Sequence, residues 1–309
     1  MYSKISKSFD FITAKKIEKN RNLYLVYIGS IVLISVIYIL FRIYFYFYQN
    51  SLIYDLRDSD YLILYELHLN GLVDYYKNVS FAGFPQFYLY YWYFISYPFF
   101  LLPPMIGVYV WDLFRIIITI YIARKILEKN KNTEDLIIFF IISFLGYQAD
   151  FYMNNSNWII YTFLYLSYVY LNKDNKVVSG IFFALALYKI NAVLFLFVIL
   201  LVRRIKFKEI LYYIIPFIFL CIPFFIYPSY FLEWFNNILG FKENEINSIW
   251  TVLIRLLFLI ESAQYLFISF LMIIYLTDTK HQEWKKWTRW IVPILFTTTH
   301  IVYLIYVNL

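Results

Sequence analysis

Residues 24–61 read YLVYIGSIVLISVIYILFRIYFYFYQNSLIYDLRDSDY: an apolar run, Tyr24 to Tyr48, and then Asp55, Asp58 and Asp60. A membrane-crossing helix needs roughly 20 apolar residues, so this run is long enough to span and to stay, and reads as an anchor rather than a cleavable signal peptide. Lys4, Lys7, Lys15, Lys16, Lys19 and Arg21 precede it. Basic flanks remain in the cytoplasm. The N-terminus is therefore expected inside and the aspartates on the far side. Working outward, the rest of the chain must be apolar helices that return to and leave a carboxylate cluster at the outer membrane surface.

Composition agrees. Of 309 residues, 62% are hydrophobic and 24% aromatic, and the mean hydropathy is +0.64. Soluble proteins run nearer to about 45–50% apolar. The expectation is a single transmembrane domain over residues 1–309, with no separate soluble unit. The net charge of +7 does not indicate nucleic acid, because the basic residues fall in short loops that would all face the cytoplasm. The lone Cys221 rules out an intrachain disulfide and a cysteine metal site. The sequence contains neither a zinc-protease helix motif nor a phosphate-binding glycine loop. No metal and no cofactor are expected.

Further spanning runs are 105–127, 134–150, 157–171, 208–228, 250–276 and 289–307. Residues 49–84 form an external, Asp-rich loop. Residues 85–104 are aromatic and carry Pro85, Pro98, Pro103 and Pro104. If they crossed, the basic loop with Arg124, Lys125, Lys129 and Lys131 would lie outside, so they are read as interfacial or re-entrant and 49–104 as one external loop. Residues 177–202 lie between two basic loops and must go out and come back. Lys189 and Asn191 at their middle predict two short helices, about 178–188 and 191–202, forming a re-entrant hairpin. The fold class is an all-α polytopic membrane protein with about 8–10 transmembrane segments.

Five groups could carry chemistry. Asp60, with Asp58 beside it, opens a helix whose start favours a carboxylate; Asp60 reads either as a general base or as a helix cap. Lys189 with Asn191 reads as a phosphate-binding cation or as a lysine snorkelling to the interface. Asp112 and Arg115, at i,i+3, read best as a structural pair. Asn247 and Ser248 lie near Arg255, which suits phosphate clamping or pairs with Glu245 or Glu261. Asp150 and Asn154–Asn157 read as a turn. His300 is read as a satisfied buried histidine or a donor to a ligand oxygen.

The order of these features carries a resemblance. Asp60-Tyr61-x-x-x-Tyr65 and Asn70-Gly71 come first, then an aromatic segment ending in Leu101-Leu-Pro-Pro104, and a helix with Trp111 and Arg115. Asn154-Asn-Ser-Asn157 follows, then Ser179-Gly180-x-x-x-Ala184-Leu-Ala-Leu-x-Lys189, Arg203-Arg204, and Asn247-Ser248-Ile-Trp-x-x-Leu-x-Arg255. From about residue 20 to 280, the chain resembles the GT-C superfamily of polyprenol-phosphate-sugar-dependent glycosyltransferases. It is most similar to family GT87, the phosphatidylinositol-mannoside mannosyltransferase-like enzymes. The resemblance implies an inverting, metal-independent transfer of a sugar, mannose first, from a polyprenyl-phosphate donor. The acceptor would be a glycolipid or glycan, and the reaction would take place on the extracytoplasmic side of a multi-pass plasma-membrane protein. It implies Asp60 as base with Asp58 second. Lys189 and Arg255, then His300 and Arg57, would hold the donor phosphate, and Tyr61, Tyr65, Asn157 and Asn247 would contact substrate. The competing classes are a transporter or lipid flippase, with Asp112, Arg115, Lys189 and Glu261 lining a path, and a non-catalytic membrane subunit.

Overall fold

The computed structural model describes residues 2–49, 58–69, 71–72, 75–77, 86–129, 133–201 and 205–239, and among them every regular element is helical. The spans expected at 250–276 and 289–307, together with Arg57, Asn247, Arg255 and His300, lie outside the described residues.

Helix α1 (Tyr2–Gln49) contains an apolar span, Asn20–Tyr44, of mean hydropathy 2.5. Its 25 residues extend about 37 Å at a helical rise of about 1.5 Å per residue, more than a bilayer core requires. Helix α4 (Pro104–Lys129) contains the second such span, Pro104–Glu128. Pro104 suits a helix start because its missing N–H would be unpaired there anyway. Leu25, Val26, Leu33 and Leu40 of α1 and Ile106, Leu113 and Ile117 of α4 are exposed, an apolar surface that fits lipid rather than water. The opposite face of α1 packs on α5 (Thr133–Met153): Tyr27 stacks on Phe140 at 4.4 Å, and Tyr27 and Ser35 exchange 2.7 Å hydrogen bonds with Ser143 and Tyr147. At the opposite end of the pair from the aspartates, the Thr133 hydroxyl donates to Asn20 Oδ1 at 2.6 Å.

The first loop holds two short helices, α2 (Ser59–Leu69) and α3 (Trp92–Phe100). Nine residues of α3 extend only about 14 Å, too short to cross a membrane. Helices α6 (Asn157–Asn172) and α7 (Lys176–Ala186) follow, and α7 ends in a turn at Leu187–Lys189 before a 3-10 turn, Ile190–Val193, and α8 (Leu194–Leu201). The break therefore falls at Lys189, where the hairpin was expected. Its freed backbone is satisfied by neighbours: Leu89 N–H donates to the Tyr188 carbonyl at 2.9 Å, and Tyr91 Oη donates to the Ala184 carbonyl at 2.8 Å. Such partners permit a broken helix inside protein.

One expected span is corrected. Residues 208–228 do not form one helix. They divide into a 3-10 turn, Phe207–Ile210, then α9 (Leu211–Leu220) and α10 (Ile222–Ile226), and α11 (Pro228–Leu239) begins at the far end. The apolar count hid the prolines. Pro216 lies inside α9, while Pro223 and Pro228 open α10 and α11; a proline supplies no N–H and clashes with the preceding turn. The pieces fold back over the first loop. Trp234 Nε1 donates to the Phe87 carbonyl at 2.9 Å, Asn237 to the Tyr76 carbonyl at 2.8 Å, and Tyr230 Oη to the Leu72 carbonyl.

Candidate active site

The start of α2 is built on Asp58. Its φ of +57° is a left-handed conformation that Asp tolerates better than most residues. Its N–H donates to the Tyr152 carbonyl at 2.9 Å, and its own carbonyl accepts from Leu62 at 3.1 Å. The side chain is committed as well. Arg42, near the C-terminal end of the first span, grips both carboxylate oxygens, Nε to Oδ2 at 2.7 Å and Nη2 to Oδ1 at 2.6 Å. The same guanidinium donates to Asp112 Oδ2 at 2.6 Å and lies over the Tyr109 ring at 5.0 Å. All three charged groups are buried. A planar, five-donor guanidinium is the side chain that can satisfy two buried carboxylates at once.

Asp112 also faces Arg115 at 3.7 Å, the i,i+3 pair expected from sequence. Arg115 extends the network to the loop after α5. Its Nη2 donates to Asn154 Oδ1 at 2.7 Å and to the Asn155 carbonyl at 2.8 Å. Asn154 in turn donates to Asp58 Oδ1 at 3.2 Å. Lys189 reaches the same loop from the break after α7, donating to Asn155 Oδ1 at 3.1 Å and Asn157 Oδ1 at 3.0 Å, and its ammonium stands 5.5 Å from the Tyr88 ring centre. Asn157 Nδ2 donates to Asp150 Oδ1 at 2.8 Å. Tyr188 Oη donates to the Ser156 carbonyl at 2.8 Å and so fixes the loop from a third side.

Asp60 differs from these carboxylates. It lies in the first turn of α2, not at the cap position, which Asp58 occupies. Among the described residues its carboxylate makes no hydrogen bond or ion pair. Burial pushes its pKa up to about 6; the nearby Lys189 charge pulls it down, the Asp150 charge pushes it up and the Arg115 charge pulls it down. Leu64 and Leu67, about one and two turns further along the same face of α2 as Asp60, are buried.

Residues 88–302 match the model of glycosyltransferase family 87. The chain belongs to that family. It is thus a membrane glycosyltransferase. No curated protein and no solved structure matches it. In this family 87 glycosyltransferase the matched residues include Lys189, the 154–157 loop and Arg115, whereas Asp58 and Asp60 precede them.

Other expected contacts fall differently. Tyr61, read as a substrate contact, is fully buried, and its ring meets Phe100 at 5.4 Å and Trp111 at 5.5 Å. Tyr65 is half-buried and stands edge-on to Phe100 at 5.8 Å. Asn157 enters the site as a bridge between Lys189 and Asp150. Sequence reasoning missed Arg42 altogether and treated Asp150 and Asn154 as parts of a turn. The signal for Arg42 was present, since an arginine inside an apolar span demands a partner. Nothing in the spacing paired Arg42 with Asp58 and Asp112, 16 and 70 residues away.

Proposed function

We propose that the enzyme transfers a sugar, mannose first among candidates, from a polyprenyl-phosphate donor to a lipid or glycan acceptor at the extracytoplasmic surface of the plasma membrane, with inversion and without a metal. The observation that carries this reading is Asp60: a half-buried carboxylate with no hydrogen bond among the described residues, in the electrostatic field of the Lys189 ammonium. Asp58, Asp112 and Asp150 all carry hydrogen bonds from neighbouring side chains, which among these four described aspartates leaves Asp60 as the base. A carboxylate of raised pKa is a stronger proton acceptor than an ordinary one.

In the proposed step the acceptor hydroxyl gives its proton to Asp60 as its oxygen attacks the anomeric carbon. The bond between that carbon and the phosphate oxygen breaks, and both its electrons leave with the polyprenyl phosphate. That leaving group gains negative charge rather than a proton, so it calls for a cation, the role we assign to Lys189. Arg57, Arg255 and His300 remain further candidates for the phosphate, and Tyr65 and Asn247 for substrate. The outward placement follows from the basic N-terminus and basic inner loops. The test is transfer by purified enzyme in lipid, supplied with radiolabelled polyprenyl-phosphate mannose or glucose and a membrane lipid extract. Label in a new lipid or glycan product supports the reading; with both donors intact and no product, it fails.

A further inference from the structure

The loop between α5 and α6 inserts neutral amides between charges of opposite sign. Asn154 separates Arg115 from Asp58, accepting from one and donating to the other. Asn157 does the same between Lys189 and Asp150. Asn155 offers Lys189 a second amide oxygen. Among the described residues Lys189 makes no ion pair with any carboxylate, although Asp150 is only one side chain away. An ammonium has three donors, and the two amides engage two of them. Among the described residues the third N–H has no acceptor and no carboxylate is bonded to the ammonium, while Tyr188, whose hydroxyl is hydrogen-bonded to the Ser156 carbonyl, fixes the backbone beside Lys189.

We propose that Asn155 and Asn157 are positioning residues that hold Lys189 by neutral oxygens, keep Asp150 off its charge, and thereby set the affinity for an anionic lipid phosphate. This rests on the assignment of Lys189 to the leaving phosphate. A carboxylate in place of either amide would accept the same hydrogen bond but neutralise the ammonium, and the phosphate would then compete with an internal anion.

The experiment is a charge swap. The double variant N157D/D150N keeps the total charge and leaves a carboxylate–carboxamide pair, but moves the negative charge onto Lys189. Asn155→Asp adds a carboxylate from the other side and leaves Asp150 untouched. Each purified full-length variant, checked for wild-type monodispersity and melting, is titrated in nanodiscs with a polyprenyl monophosphate and with the uncharged polyprenol. The expected result is a loss of phosphate-lipid affinity of roughly tenfold or more, a difference of about 1.4 kcal/mol, in both variants, with polyprenol binding unchanged. Wild-type affinity in a folded swap variant, or in Asn155→Asp if the swap variant does not fold, overturns the inference. Lys189→Met in the same titration separates the two ideas: unchanged phosphate binding there removes the phosphate assignment itself, whereas weakened binding there with a normal swap variant removes only the role of the amides.

Discussion

At the scale of single residues, the site divides its aspartates by their partners. Asp58 and Asp112 share Arg42 in a buried cluster, so truncating the arginine leaves Asp58 with no cation and Asp112 with only the longer contact to Arg115. Arg42→Ala is expected to cost about 3–5 kcal/mol, read as a large fall in melting temperature in detergent. Asp60 shows the reverse. Its pKa in the fold is about 6, against 3.8 for the free side chain, so the folded protein binds the proton more tightly than the unfolded chain. The ionised form thus opposes folding. The penalty is absent below about pH 4, grows through the interval to about pH 6 and is complete above it. Asp60→Asn should therefore raise the melting temperature at pH 7.5, with the gain shrinking toward pH 4; an equal gain at both pH values would contradict the burial argument. The same pKa places the acidic limb of the transfer rate near pH 6, because a base must be deprotonated to act. Arg42 could be read from sequence as a residue in need of a partner, but not which partner, since that depends on how α1 and α4 meet.

At the scale of elements, two glycines set close approaches. A methyl at Gly180 would overlap the Tyr212 carbonyl, where α7 packs against α9, whereas Gly29 and Gly146 have open space around them. Gly180→Ala should lower the melting temperature strongly, while Gly29→Ala should raise stability by about 0.5–1 kcal/mol, the ordinary gain of alanine over glycine in a helix. Gly107 makes room for the Tyr61 hydroxyl and faces the Phe99 carbonyl. Tyr61 follows Asp60 on α2, so Gly107→Ala should displace that helix and lower the transfer rate more than it weakens donor binding. The helix break at Lys189 and the shortness of α3 were legible because a polar pair and a run of prolines interrupt the apolar pattern. The breaks in 208–228 were legible too, in Pro223 and Pro228, but a count of apolar residues outweighed them. The hub role of Asn154–Asn157 was not legible. Asparagines in a loop look alike in sequence whether they turn the chain or bridge an arginine to an aspartate 96 positions earlier.

At the scale of the molecule, Asp60, Lys189, Arg115 and the 154–157 loop come from separate stretches of chain, and α11 closes over the first loop through Trp234 and Asn237. The order of motifs along the chain carried the family, which the match over residues 88–302 bears out. The sugar, the acceptor and the side of the membrane belong to the proposal. If α2 lies outside, a cysteine introduced at exposed Leu69 should react with an impermeant maleimide added to intact cells, and labelling only after lysis would reverse the topology. The most direct test of the central claim pairs donor binding with transfer in wild type and Asp60→Asn. The account predicts that the variant folds, binds the polyprenyl-phosphate sugar with near wild-type affinity, and forms no product at any pH. Transfer at the wild-type rate by the variant would contradict it.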